Sequence, residues 1–254
     1  MPRAAGVLAA ALAVAAATLA PGVAAPRSAP AASPDPLPDS ASVVLGRSVE
    51  GRAIRALRVG DRTAARRALV VGVIHGTETA GLGVTRALRK RAGIAGVDLW
   101  VVDSVNPDGM AHGTRRNARG VDLNRNFSRR WRRTGGPGSG YYAGSRPFSE
   151  RESRIVRRWI ERIHPAVTIW YHQPWGAVLL PCKGDAPIEQ RYAELARFPA
   201  KRCLGDKLPG TATSWQNHEL AETHAFVVEL PPAGLSAKAA RRHALAAAIV
   251  AAGG

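Results

Sequence analysis

Five short apolar runs, separated by stretches of a different periodicity, constrain this fold more than any bulk property does. They lie at residues 53–59, 68–74, 97–102, 166–171 and 224–230, and most are nearly continuous in Val, Ile, Leu and Ala. Runs of that length and evenness are expected of strands buried on both faces. Helical patterns fill the gaps. Residues 79–91 carry Leu82, Leu88 and alanines on one face, and 188–197 and 236–252 read similarly, the last with Ser236 as N-cap. Ser149-Glu-Arg-Glu152 has the spacing of a capping box, so a helix is expected from there to about Ile163, before Pro165. Strands alternating with helices predict an α/β fold, a three-layer sandwich around a mixed, largely parallel sheet. Glu50-Gly51 suits a hairpin turn ahead of the first run. Residues 111–144, dense in Arg, Asn and Gly, read as a long loop region, and such loops are usually functional or disordered.

The N-terminal residues belong to a different class. Arg3, an Ala/Leu/Val run at 4–19 and small residues at 20–25 have the pattern of a signal peptide, 1–25. The run is short and Ala-rich against the roughly 20 strongly apolar residues of a membrane span. The mature protein is therefore expected to lack a transmembrane segment and to be secreted or extracytoplasmic. Residues 26–40, rich in Pro, Ala and Ser, read as a disordered linker, leaving 41–254 as the folded domain. Cys182 and Cys203 are the only cysteines. Export makes a disulfide between them reasonable, with two buried thiols as the alternative. The net charge of +17 asks for an anionic partner. The arginines are scattered and lack interleaved aromatics, which argues against nucleic acid. An anionic envelope polymer fits as well, and so does a merely solvated basic surface.

Three polar residues end predicted strands: His75, His172 in "TIWYHQP" and Glu229 in "AFVVELP". In open α/β sheets ligands bind at that edge. Each alone is more often a structural residue. Together they describe a metal site, because Glu78 lies one tight turn after His75, and His172 can add a third ligand from a distant strand. Zinc accepts imidazole nitrogen and carboxylate oxygen, and catalytic sites use three protein ligands plus an open position. Gly76 is expected to let the backbone bend between the first two. "HELAETH" at 218–224 is a decoy. Its histidines are six apart, whereas a helical two-histidine site needs four. His218, Glu219 and Glu222 read as surface or substrate-loop residues, and His112, His164 and His243 as surface.

Seven pieces, "LGRSVEGRAI", "HGTE", "NPDG", "GTRRNARGVDLNRNF", "YYAGSRPFSERE", "WYHQP" and "FVVELP", occur in that order from about Leu45 to Pro231. In them the chain resembles the zinc carboxypeptidase family, in particular its bacterial murein-peptide amidase branch. The resemblance implies one zinc per chain on His75, Glu78 and His172. It implies Glu229 as the general base towards water on the metal and Arg115 as the group that stabilises the oxyanion. It also implies Asn124 and Arg125 as the residues that hold a terminal carboxylate. The chain departs from digestive-type members, which carry a tyrosine some twenty residues before the glutamate. Here "GDKLPGTATSWQNHEL" has none, and Trp215 is the aromatic available to cover the site.

The function these features imply is an exported zinc peptidase acting on cell-wall muropeptides, at the γ-D-Glu–diaminopimelate bond. The substrate is a peptide with a free C-terminal carboxylate. Electrostatic association with the envelope is compatible. The alternatives are a general secreted metallocarboxypeptidase that releases C-terminal amino acids, and a non-catalytic wall-peptide-binding module. The filled ligand and base positions argue against the module.

Overall fold

The computed structural model describes Met1, Leu37 and residues 41–91, 93–202 and 208–254. The expected signal peptide and linker lie outside the described residues apart from Met1 and Leu37, as does Cys203. Cys182 is disulfide-bonded.

Eight strands form one sheet in the order β1-β2-β4-β3-β5-β8-β6-β7. They are β1 Ser42–Arg47, β2 Ala53–Arg58, β3 Arg67–Val73, β4 Asp98–Ser104, β5 Val167–His172, β6 Ala177–Leu180, β7 Ala200–Arg202 and β8 His224–Glu229. The four central strands β4, β3, β5 and β8 run parallel, while β2–β4 and β6–β8 are antiparallel. The sheet is thus mixed with a parallel heart, as expected. β1 and β2 form the predicted hairpin, with Gly51 at φ +84° in its turn.

Successive residues of a strand point to opposite faces, and both faces here are covered. Val70 and Val101 face a core that includes Val84 and Leu88 of α1 (Gly81–Arg89), Tyr192 of α4 (Pro187–Ala196) and the alanines of α6 (Ala237–Ala252). Leu69 and Val102 face the other core, with Trp159 and Ile160 of α3 (Arg151–Ile163) and Trp215 of α5 (Ala212–Glu219). Two helical layers therefore enclose the sheet. The alanines of α6 let it lie close to its neighbours: a Cβ on Gly83 of α1 would stand only 3.5 Å from the Ala240 Cβ.

Three expectations fail. The capping box at 149–152 does not close. The N-cap of α3 is Glu150 with no side-chain cap bond, because Glu152 accepts instead from the Val49 N–H and from Asn117. His243 is buried rather than on the surface and bonds the Tyr192 hydroxyl at 2.8 Å. Trp215 covers nothing: it is 3% exposed and packs against Phe127 at 5.5 Å. Among the described residues no helix is long and apolar enough to cross a membrane.

Candidate metal centre

β3 stops at Val73, and the turn that follows carries His75 and Glu78; β5 ends on His172 and β8 on Glu229. The last two are register partners on adjacent parallel strands. The sheet edge thus assembles all four. Gly76 is needed here for space rather than for a bend. Its φ is not in the left-handed region, but an added Cβ would come within 2.1 Å of Gly109. That contact docks α2 (Pro107–Ala111), the helix of "NPDG", onto the turn. Asn106 completes the clamp. Its amide donates to the carbonyls of Ile74 and Arg115, and its oxygen accepts from the Gly109 N–H.

Within this frame the two imidazole Nδ1 atoms face each other at 3.2 Å, and each lies 2.9 Å from an oxygen of Glu78. All three residues are buried. On the far side, His75 Nε2 donates to Asp122 Oδ1 at 3.0 Å, which leaves the Nδ1 lone pair turned into the cluster. Two facing nitrogens and a carboxylate, with one tautomer fixed from behind, fit a small divalent cation of the zinc type. Burial works against charge on these groups. On His75 the Asp122 and Glu78 carboxylates outweigh it and raise the pKa, whereas on His172 burial prevails and lowers it. For Glu78, burial is outweighed by hydrogen bonds from His172 and His75, which hold its carboxyl far below the usual range.

Glu229 differs from its neighbours. Its Oε2 is buried with no hydrogen-bond partner among the described residues. Burial, helped by the Glu78 charge, pushes its pKa up to about 7, against a backbone hydrogen bond from Trp175. The carboxyl is therefore poised between its two protonation states near neutral pH.

Arg115 donates to Glu78 Oε1 at 2.6 Å and to Asp122 Oδ2 at 3.2 Å. Arg125 ends the short 3-10 turn Leu123–Arg125, which Asp122 caps by accepting from the Asn124 N–H. Its guanidinium bonds the Asn124 carbonyl at 2.7 Å and, among the described residues, makes no ion pair. Burial lowers its pKa. Asn124 accepts from the Ala212 N–H through its side-chain oxygen and turns its amide towards His172 Nε2 at 3.4 Å. All seven residues singled out in the sequence, His75, Glu78, Arg115, Asn124, Arg125, His172 and Glu229, line one cavity of about 900 Å³. Asp122, Asn106 and Tyr141 escaped the sequence reading. Asp122 stands in "GVDLNRNF", two residues before Asn124, but its partners His75 and Arg115 come from other segments.

Comparison with known proteins agrees with this geometry. A family model described as zinc carboxypeptidase matches residues 36–203, and the chain belongs to that family, whose members carry one zinc. Among curated relatives, murein peptide amidase A of Escherichia coli (strain K12) is 31% identical over 147 residues, covering 52% of this chain and 57% of that protein. Carboxypeptidase B of Astacus astacus is 30% identical over 170 residues, covering 52% and 56%. The chain thus spans little more than half the length of these curated relatives. Among solved structures, the murein-tripeptide amidase of Escherichia coli O157 aligns with a TM-score of 0.66 and 26% identity, over 87% of this chain and 95% of that one. Carboxypeptidase A of Helicoverpa armigera aligns at TM-score 0.69 and 21% identity, over 84% and 67%, a likeness of fold.

Proposed function

We propose that the chain is an exported zinc peptidase that hydrolyses the bond next to a C-terminal residue in peptidoglycan-derived peptides, at the γ-D-Glu–diaminopimelate linkage. The observation that carries the hydrolytic reading is the unpaired, buried Glu229 oxygen at the same strand edge as the His75–Glu78–His172 cluster. A zinc ion held by those three side chains would supply Lewis-acid activation of water and of the scissile carbonyl. Glu229 takes the proton from the attacking water and passes it to the leaving amine, a role suited to a carboxyl whose pKa burial raises above its usual range. Arg115, partly exposed towards the cavity, donates to the oxygen on which negative charge develops. Arg125 holds the substrate's terminal carboxylate through its guanidinium fork, with Asn124 beside it. The wall-peptide substrate is supported by the amidase relatives and by the sequence pattern shared with that branch. Export is supported by the pattern of residues 1–25.

Mass spectrometry of a digested peptidoglycan fragment tests the reading. Diaminopimelate should be released by the protein, should disappear with chelator, and should be abolished in Glu229→Gln while that variant still holds one zinc. Brisk release of ordinary C-terminal residues, with none of diaminopimelate, would point to a general carboxypeptidase. Unchanged turnover in Glu229→Gln would remove that residue from the chemistry.

A further inference from the structure

Tyr141 is one of two exposed large aromatic residues among those described, and both it and the other, Trp175, line the catalytic cavity. Tyr141 is 58% exposed, yet its ring is not loose against solvent. Its centre stands 5.5 Å from the Arg115 Cζ and 5.7 Å from the Arg125 Cζ, so one ring spans both guanidinium groups. Its backbone is held on both sides, since the Tyr141 N–H donates to Ser139 Oγ and its carbonyl accepts from Thr134 Oγ1. The following Tyr142 N–H bonds the Ser139 carbonyl. Arg125 beneath it is buried and makes no ion pair among the described residues.

From this geometry we propose that Tyr141 is a substrate-contacting residue that roofs the carboxylate subsite of Arg125, with Arg115 beside it, and sets its affinity for a carboxylate. The π face sits over both cations within the range of a cation–π contact. It also screens them from water, and a charge-assisted hydrogen bond strengthens where the local dielectric falls. A carboxylate entering the cavity replaces water on the guanidinium edges while the ring covers them. The ring, not the hydroxyl, carries this effect. The inference rests on the reading that Arg125 receives the substrate's terminal carboxylate.

Two ligands separate the possibilities: a γ-D-glutamyl-diaminopimelate peptide, and the same peptide with an amide in place of the carboxylate next to the scissile bond. Each is titrated calorimetrically into full-length, zinc-loaded protein made inactive by Glu229→Gln, with and without a change at Tyr141. Tyr141→Ala should weaken the acid by about tenfold and the amide hardly at all, whereas Tyr141→Phe should bind both like the parent. Zinc content should be the same in all. Unchanged affinity in Tyr141→Ala, an equal loss for acid and amide, or a parent with no preference for the acid overturns the inference. The function proposed above fails separately: a protein without wall-peptide hydrolysis can still show the acid-selective loss, and an active one can lack it.

Discussion

At the scale of single residues the site is a set of buried charges that make sense only as a group. Asp122 is the residue on which most of them converge. It is fully buried, accepts from His75 and Arg115, and caps the turn that presents Asn124 and Arg125. Burial would raise its pKa, but the His75 charge and hydrogen bond, then the charges of Arg115 and Arg125, hold it far below the usual range. Carboxylates behind a metal-binding imidazole typically change metal affinity by about 10–100-fold when replaced. Asp122→Asn, which keeps the shape and an acceptor but loses the charge, should therefore weaken zinc by at least about tenfold. Competition with a chromogenic chelator reads this directly, and an affinity equal to the parent's would show that His75 needs no fixed partner. His75, His172 and Glu229 were legible in the sequence because they end apolar runs, where a His or Glu has no place in a plain core. Asp122 and Asn106 were not so legible, since both act through backbone groups and neighbours that only the folded loops bring together.

At the scale of elements, what could be read was what burial writes into a strand. β3, β4, β5 and β8 are apolar on both faces and stood out within a residue or two of their observed bounds. β7, with the sequence Ala-Lys-Arg and every residue exposed, carries no such mark. α5 was missed because its eight residues, "ATSWQNHE", show no helical periodicity; tertiary contacts from Trp215 and Gln216 hold it instead. Two of the N-caps that do form allow a comparison. Ser236 caps α6 by accepting from the Ala239 N–H, and it does not line the catalytic cavity. Thr211 caps α5 by accepting from the Ser214 N–H, and the next residue's N–H holds Asn124. Each cap contributes about 1 kcal/mol, so either alanine variant should lower Tm by roughly 2–4 °C. Only Thr211→Ala should also raise KM, because loosening the start of α5 frees the Asn124 side chain. Equal KM values for the two variants would uncouple α5 from the site.

At the scale of the whole molecule the sheet divides two cores that differ in kind. The face under α3 and α5 is aromatic, with Trp100 edge-on to Trp159 at 4.9 Å. The face under α1, α4 and α6 is alanine-rich and holds a buried polar chain: Tyr171 bonds Tyr192, and Tyr192 bonds His243 of α6, each at 2.8 Å. This chain ties β5, α4 and α6 together and makes that face sensitive to acid. Burial, and after it the charge of Arg242, pushes the His243 pKa down from 6.5 to about 4. The groups packed on it, Tyr192 and the Phe198 ring at 4.8 Å, offer no negative charge to a protonated imidazole. Below pH 6.5 the unfolded chain binds a proton at this position that the folded chain refuses until about pH 4. The folded state therefore loses stability across that window, by about 3 kcal/mol at its lower end. His243→Gln keeps a polar partner for Tyr192 but cannot titrate. Urea unfolding at pH 6.5 and again near pH 4 should show the parent losing about 2–3 kcal/mol more than the variant. Parallel losses in the two proteins would mean that His243 takes up its proton without disturbing the packing of α6 on the sheet.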